Sequence, residues 1–419
     1  MPDMKPLSTA QILLYSAASL GANLVYMFTN AAFPLFLSAY PVSNMMVGFL
    51  AQERSFVGGF VQPVVGAISD RLPPNRLGRR RPFFLIGVPL TAAALILLST
   101  RPPLWSVVAI LTVFSFFLAV ASDPYMAMLP EITTHEQRGR VGGFMALFNM
   151  LGAIMAIALA FLLWDSNQSL VFWLVSAGLV AAFAITFFTI KEPPLSAVRE
   201  RHKSRISVGA YLRDLFERRE LIKYLAAVFF FWLGNGGITP FVTRFGVQIL
   251  GVEENVSFLL VLPAIVGAAI FAVPAGLLTE RLGKKRVLTA GMFLFGLVTC
   301  VGAQIVRNVP QAILLMALVG IANAVTTALL APLLADIIPR ERAGEFTGLG
   351  ALVWSLAQPL GAMAAGSMAD ATGTLRWAFT AGGFAMLVGF AVMLSVHPER
   401  STSPDEREPV VVTIGARGG

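Results

Sequence analysis

Apolar runs alternate with short polar breaks from one end of this chain to the other. A helix needs about 20 residues to cross ~30 Å of hydrocarbon, and windows of that length predict twelve spans. They fall near 11–37, 44–69, 82–100, 104–130, 140–163, 168–190, 221–249, 255–279, 287–306, 311–335, 345–368 and 376–396. The longest gap, 191–220, is rich in Lys, Arg and Glu and divides the spans six and six. Its end, "YLRDLFERRELIKYL", has apolar residues at helical spacing and predicts a surface helix. The expected organisation is a six-helix bundle over 1–190, a central loop over 191–220, a second bundle over 221–396 and a polar tail over 397–419.

Composition narrows the class. Hydrophobic residues make up 56% of the 419 positions and charged residues 13%, about half the charged share of a soluble domain. The first apolar run starts at Ile12 behind Lys5, as in a signal peptide, but it runs on to Leu37 and more spans follow, so an uncleaved first helix is expected. Net charge is +8, yet the positive charge sits in short loops, which speaks for topology and against a nucleic-acid partner. With the N-terminus placed inside, the short cytoplasmic loops hold 13 Lys and Arg against 3 outside. Both termini are therefore expected on the cytoplasmic side of the cell membrane. Cys300 is the single cysteine, and His135, His202 and His397 lie far apart. No metal site, cofactor site or nucleophile motif follows from them. The phosphate loop of an ATP-driven pump is missing too, so neither an enzyme nor a pump is expected.

The two halves repeat each other. "GAISDRLPPNRLGRRRPF" (Gly66 to Phe83) follows the second span, and "GLLTERLGKKR" (Gly276 to Arg286) follows the eighth; Gly66 and Asp70 match Gly276 and Glu280. After the fourth and tenth spans, Glu131 and Gly139 match Asp336 and Gly344. Both repeats lie on one side, so the halves are related by an axis along the membrane normal.

These motifs resemble the signature of the major facilitator superfamily: Gly66, then Asp70 and Arg71, then Gly78, Arg79 and Arg80. The "SDR…GRRRPF" form, with "P-x-x-A-x-L-x-E" at Pro124–Glu131, is similar to the sucrose-type branch and to the glycoside–pentoside–hexuronide cation symporters. The resemblance implies an all-α membrane fold of two pseudo-symmetric six-helix halves, a small-molecule substrate, alternating access and no enzymatic activity. It departs from both groups where the first places an Arg (Met126 here) and where the second places sodium-binding carboxylates (Gly58 and Gln62). A proton is thus the expected coupling ion in place of sodium. Proton-coupled symport of a sugar or similar small polar solute by a monomer is the leading expectation. A drug or metabolite exporter on the same fold and a non-transporting membrane-assembly factor are the alternatives.

Charges inside spans are costly, about 2.5–3.5 kcal/mol near the centre, and normally meet a partner or a cavity. Glu53 and Arg54 in the second span, Asp123 in the fourth and Arg244 in the seventh qualify. Glu53 lies nine residues in, about 14 Å at 1.5 Å per residue; it reads either as a proton carrier or as one half of a structural ion pair. Arg54 points elsewhere on the helix and needs its own partner. Asp123 could accept from Arg54, bind substrate or cap the kink at Pro124. Arg244 lies near the outer end of its span and could snorkel.

The seventh span carries "GNGGITP" (Gly234 to Pro240), a poor helix interior. A break there makes Asn235 and Thr239 either substrate contacts or parts of a gating bend. Asn23, Tyr26, Asn30, Tyr125, Asn149, Trp232, Asn323, Trp354 and Gln358 are further polar or aromatic residues. As a set they suggest a cavity suited to a sugar; singly, each could be packing glue. Asp70, Arg71, Arg79 and Arg80 are expected to gate at the cytoplasmic ends of helices, with Glu131, Arg138, Arg140, Asp336 and Arg342 as partners.

Overall fold

The computed structural model describes residues 6–72, 77–134, 136–190, 192, 217–338 and 343–398. Among the described residues twelve long helical segments follow in order: α1 (Thr9–Ala31, continued by Phe33–Leu37), α2 (Asn44–Arg71), α3 (Arg81–Leu98), α4 (Leu104–Ile132), α5 (Arg138–Leu163) and α6 (Gln168–Thr189). The second half holds α7 (Arg219–Ile238, then Val242–Leu250), α8 (Glu254–Leu259, then Leu262–Leu282), α9 (Lys284–Ile305), α10 (Val309–Ile337), α11 (Ala343–Thr372) and α12 (Leu375–Leu394). Most of the central loop, including 211–216 of the anticipated surface helix, and the tail from 399 onward lie outside the described residues.

Eleven of the segments are long and apolar enough to cross a membrane. The exception is α2, whose 28 residues are diluted by Gln52, Glu53, Arg54 and Gln62. It is still about 42 Å long at 1.5 Å per residue, so length does not disqualify it. Side chains mark the starts. Ser8 and Gln11 close a capping box on α1, and Ser43, Asn167 and Asn308 accept from backbone N–H groups at the starts of α2, α6 and α10.

Packing obeys the repeat. In the first half α1 lies against α5 and α6, α4 against α2 and α3, and α3 against α6. In the second, α7 lies against α11 and α12, α10 against α8 and α9, and α9 against α12. Shifting each number by six turns one set into the other. Large apolar side chains cover the outside as well as the core: Trp105 and Phe188 are each 76% exposed and Ile270 is 70% exposed. Such a surface is stable against lipid and not against water. We call the side where α1 begins and α12 ends the terminal face, and the other the opposite face.

The two halves meet mainly through α2 and α11, and through α5 and the first turns of α8.

Candidate functional site

Between the halves, at mid-depth, polar and aromatic side chains from several helices come together in pairs. Asn23 on α1 donates its amide to the Asn149 carbonyl on α5. Gln52 on α2 donates to Asn30 on α1 at 3.1 Å. Ser55 on α2 donates to Gln358 on α11 at 2.6 Å, bridging the halves. Trp232 on α7 and Trp354 on α11 meet edge to face, centroids 5.2 Å apart. The Arg54 guanidinium lies 4.2 Å above the Tyr26 ring. Asn323 on α10 is half-buried, with a buried Oδ1 that has no hydrogen-bond partner.

Two anticipated site residues sit elsewhere or turn inward. Tyr125 is 1% exposed and belongs to the interior of the first half. Its hydroxyl is shared with Ser19 at 2.7 Å and donates to the Tyr15 carbonyl at 3.0 Å. Tyr15 and Phe183 pack on its ring. Those hydrogen bonds satisfy a phenol that would otherwise need a polar cavity. Thr239 folds back on its own helix and donates to the Asn235 carbonyl at 2.9 Å.

The seventh span breaks later than the glycines suggest. Gly234, Gly236 and Gly237 are all inside regular helix, which runs to Ile238 before a 3₁₀ turn at Thr239–Phe241. The glycines serve close packing. A Cβ on Gly236 would stand 2.2 Å from the Gln358 carbonyl oxygen, and one on Gly234 2.4 Å from that of Gly382. Small residues let backbones approach in this way; Pro240, lacking an N–H, makes the break.

No described ion pair includes Glu53, Arg54 or Asp123. Glu53 is 5% exposed. Ser115 on α4 donates to its Oε2 at 2.6 Å, while Oε1 is buried without a hydrogen-bond partner. Asp123 on α4 faces Gln62 on α2, and its Oδ2 is likewise buried and unpartnered. The two acids thus mark two levels of one α2–α4 seam. Next to Asp123, Met126 is 54% exposed. Arg244 is 7% exposed and lies within the field of Asp370, with Nε and Nη1 unpartnered.

On the opposite face the halves are fastened. Asp370 on α11 accepts from Asn44 N at 2.9 Å, Asn44 Nδ2 at 2.7 Å and Met45 N at 3.0 Å, so a carboxylate of one half caps a helix of the other. Beneath it, Cβ atoms on Gly366 and Gly48 would lie 2.4 Å from the carbonyl oxygens of Asn44 and Ala362. Trp164 on α5 donates to Glu254 at the start of α8 at 2.7 Å. Contact along α2–α11 persists down to Gly59 and Ser355, about 22 Å below Asn44. Lower still, side chains added at Gly66 on α2 or Gly348 on α11 would meet nothing within 4 Å.

At the terminal face the charged motif works within each half. Arg79 and Arg80 both donate to Glu131 Oε1, at 2.6 and 2.7 Å. In the second half, Lys284 pairs with Asp336 at 2.8 Å. These pairs occupy equivalent places in the repeat: the start of α3 or α9 against the end of α4 or α10. Arg138 donates to the Pro130 carbonyl at 3.3 Å, and Arg140 to Thr9 at 2.8 Å. Glu280 is exposed. The backbone of Asp70 and Arg71 closes α2, but their side chains, and Arg342, lie outside the described residues. Sequence reasoning missed Glu192, whose carboxylate accepts from the N–H groups of Arg79, Arg80 and Arg81. Gly78, at φ +100°, is required there, since a Cβ would stand 2.6 Å from that carboxylate.

Comparison with known proteins gives a consistent picture. A family model described as "MFS/sugar transport protein" matches residues 14–387. An uncharacterized MFS-type transporter of Bacillus subtilis, YxiO, is 24% identical over 94% of this chain and 96% of its own length. The uncharacterized MFS-type transporter MJ1317 of Methanocaldococcus jannaschii is 23% identical over 70% of this chain and 71% of its own. Among solved structures, a bacterial homolog of the human lysosomal transporter Spinster, in an inward-facing and unoccupied conformation, superposes with a TM-score of 0.76 at 14% identity. That match covers 95% of this chain and all of the other. The nucleoside transporter NupG superposes with a TM-score of 0.72 at 11% identity, over 92% and 97%.

Proposed function

The chain belongs to the MFS/sugar transport family, a multi-pass membrane transporter and not an enzyme, and on that premise we propose that it carries a sugar or similar small polar solute together with a proton. The observation that supports this reading is a set of polar and aromatic pairs on the helices around the seam: Trp232 with Trp354, Tyr26 with Arg54, Asn23 with Asn149, Asn30 with Gln52, and Gln358 with Ser55. Aromatic faces and amide groups together suit a hydroxyl-rich solute. The excess of 13 Lys and Arg over 3 in the short loops supports a cytoplasmic terminal face. In that orientation the α2–α11 contacts close the outer side, while side chains added at Gly66 or Gly348, nearer the cytoplasm, would meet nothing within 4 Å.

Glu53 and Asp123 are the proposed proton sites. A carboxylate without an ion pair inside a membrane protein is cheaper neutral than charged, and each of these has one unpartnered oxygen. Glu53, nearer mid-depth, alternates between the two forms; Asp123 stands on the terminal-face side of it along the same seam. The test is uptake of a labelled sugar panel into proteoliposomes, with and without an imposed pH gradient. Uptake of at least one sugar, stimulated by an inward proton gradient, is the expected result. Stimulation by an outward gradient would favour export, and an unchanged rate would remove proton coupling.

A further inference from the structure

Three buried or half-buried charges lie on α2 and α4 inside the membrane-spanning part, and two are already engaged. Glu53 holds Ser115, and Asp123 faces Gln62. Neither forms an ion pair with Arg54. Several other arginines find oxygen: Arg79 and Arg80 at Glu131, Arg376 at the carbonyls of Ala303 and Val306, Arg140 at Thr9; Arg244, with Nε and Nη1 unpartnered, does so less fully. Arg54 instead has Tyr26, whose ring lies 4.2 Å from its guanidinium carbon. Glu53 is within electrostatic reach, and the Tyr26 hydroxyl is a side-chain hydrogen-bond partner.

A guanidinium over a ring uses its face and leaves the N–H fork at its edge available. Arg54 is half-buried, so its surface is not sealed off. Gly58 lies one turn further on the same face of α2, and a Cβ there would meet nothing within 4 Å. One turn beyond comes the exposed Gln62. Arg54, Gly58 and Gln62 therefore form an open strip of α2 with the cation at its deep end. A fixed cation without a carboxylate is costly at that depth and is best relieved by a bidentate anion.

We propose that Arg54 is the anion-recognition point of the central site, and that the carried solute bears a carboxylate or phosphate group. This rests on the reading of the mid-depth polar and aromatic pairs as the solute site. Protonation of both Glu53 and Asp123 leaves Arg54 as the local excess charge, which one anionic group on the solute then balances.

The test uses the full chain in lipid nanodiscs and equilibrium binding of three matched probes: glucose, glucuronate and glucose 6-phosphate. The wild type should bind one of the anions about tenfold or more tighter than glucose, as expected for charge-assisted hydrogen bonds. Arg54→Gln should erase that preference, in protein whose monodisperse elution and cooperative thermal unfolding show that it is folded. Arg54→Lys should keep part of it, since it retains the charge without the fork. Separate preference for carboxylate or phosphate identifies which anion the site takes. Equal binding of glucose and both anions by the wild type, or an anion preference that survives in Arg54→Gln, would overturn the inference and leave the sugar reading intact. Binding of none of the three would count against the sugar reading itself, and the inference falls with it.

Discussion

The two faces of this transporter are held together in different ways. On the opposite face the strong contacts cross between halves: Asp370 caps α2, Trp164 reaches Glu254, and Gly48 and Gly366 let α2 and α11 touch backbone to backbone. On the terminal face the strong contacts seen among the described residues stay within each half: Glu131 with Arg79 and Arg80, Glu192 with the start of α3, Lys284 with Asp336. Contacts within a half maintain its shape through any motion. Contacts across halves must break and reform if the halves rock. Those seen here are suited to that, because glycine contacts leave no unpaired polar group behind and the α2 N–H groups can be taken up by water.

The comparison predicts two kinds of mutant, one that lowers stability and one that shifts conformation. Glu131→Gln should show the largest effect. Its partners are 9% and 5% exposed in their side chains, and breaking a buried pair costs about 3–5 kcal/mol. Thermal unfolding in detergent should move down clearly, with no gain of access from the opposite face. Gly48→Leu should come next and act differently. Overpacking costs about 1–3 kcal/mol, paid only while the opposite face is closed, so the equilibrium should move about 5- to 150-fold toward opening there. In a Cys300→Ala background, Gly58→Cys should then react faster with an impermeant maleimide from the opposite face. An unchanged rate would mean that this seam does not control access.

Asp370→Ala should move the same equilibrium less. Loss of a helix cap costs about 0.5–2 kcal/mol, roughly a twofold to thirtyfold shift. Pulsed dipolar distances between spin labels at Met45 and Met368 should gain a longer population, while the thermal midpoint stays near wild type. Asp336→Asn should be the mildest. Its pair with Lys284 is 41% and 42% exposed, and such pairs contribute about 0–1 kcal/mol. A loss equal to that of Glu131→Gln would contradict the ranking of the two equivalent sites.

Much of this architecture is legible in the chain. Hydropathy alone places most span ends within a few residues, since lipid demands a continuous apolar run and little else. The repeat of Asp70 and Glu131 with Glu280 and Asp336 is visible as spacing, and for Glu131 and Asp336 the structure adds a basic partner in equivalent places of each half. What sequence could not supply are pairings that depend on how the halves dock. Asp370 reads as one more charge at a helix end, because its partner is 326 residues away. Glu192 disappears into the charged linker for the same reason. Tyr125 reads as a cavity aromatic because nothing along the chain announces that Ser19 and Tyr15 will satisfy its hydroxyl. The glycines of the seventh span read as a helix break, because nothing along the chain announces the close packing they serve. Only the positions of Gln358 and Gly382 decide for packing.

The coupling of solute to proton is tested most directly by measuring accumulation and exchange side by side in proteoliposomes carrying Glu53→Gln. Glutamine mimics the protonated acid and can still meet Ser115, but it cannot release a proton. The account predicts that exchange of labelled for unlabelled solute persists while accumulation driven by a pH gradient disappears. Accumulation that persists in Glu53→Gln, and again in Glu53→Gln combined with Asp123→Asn, would contradict it.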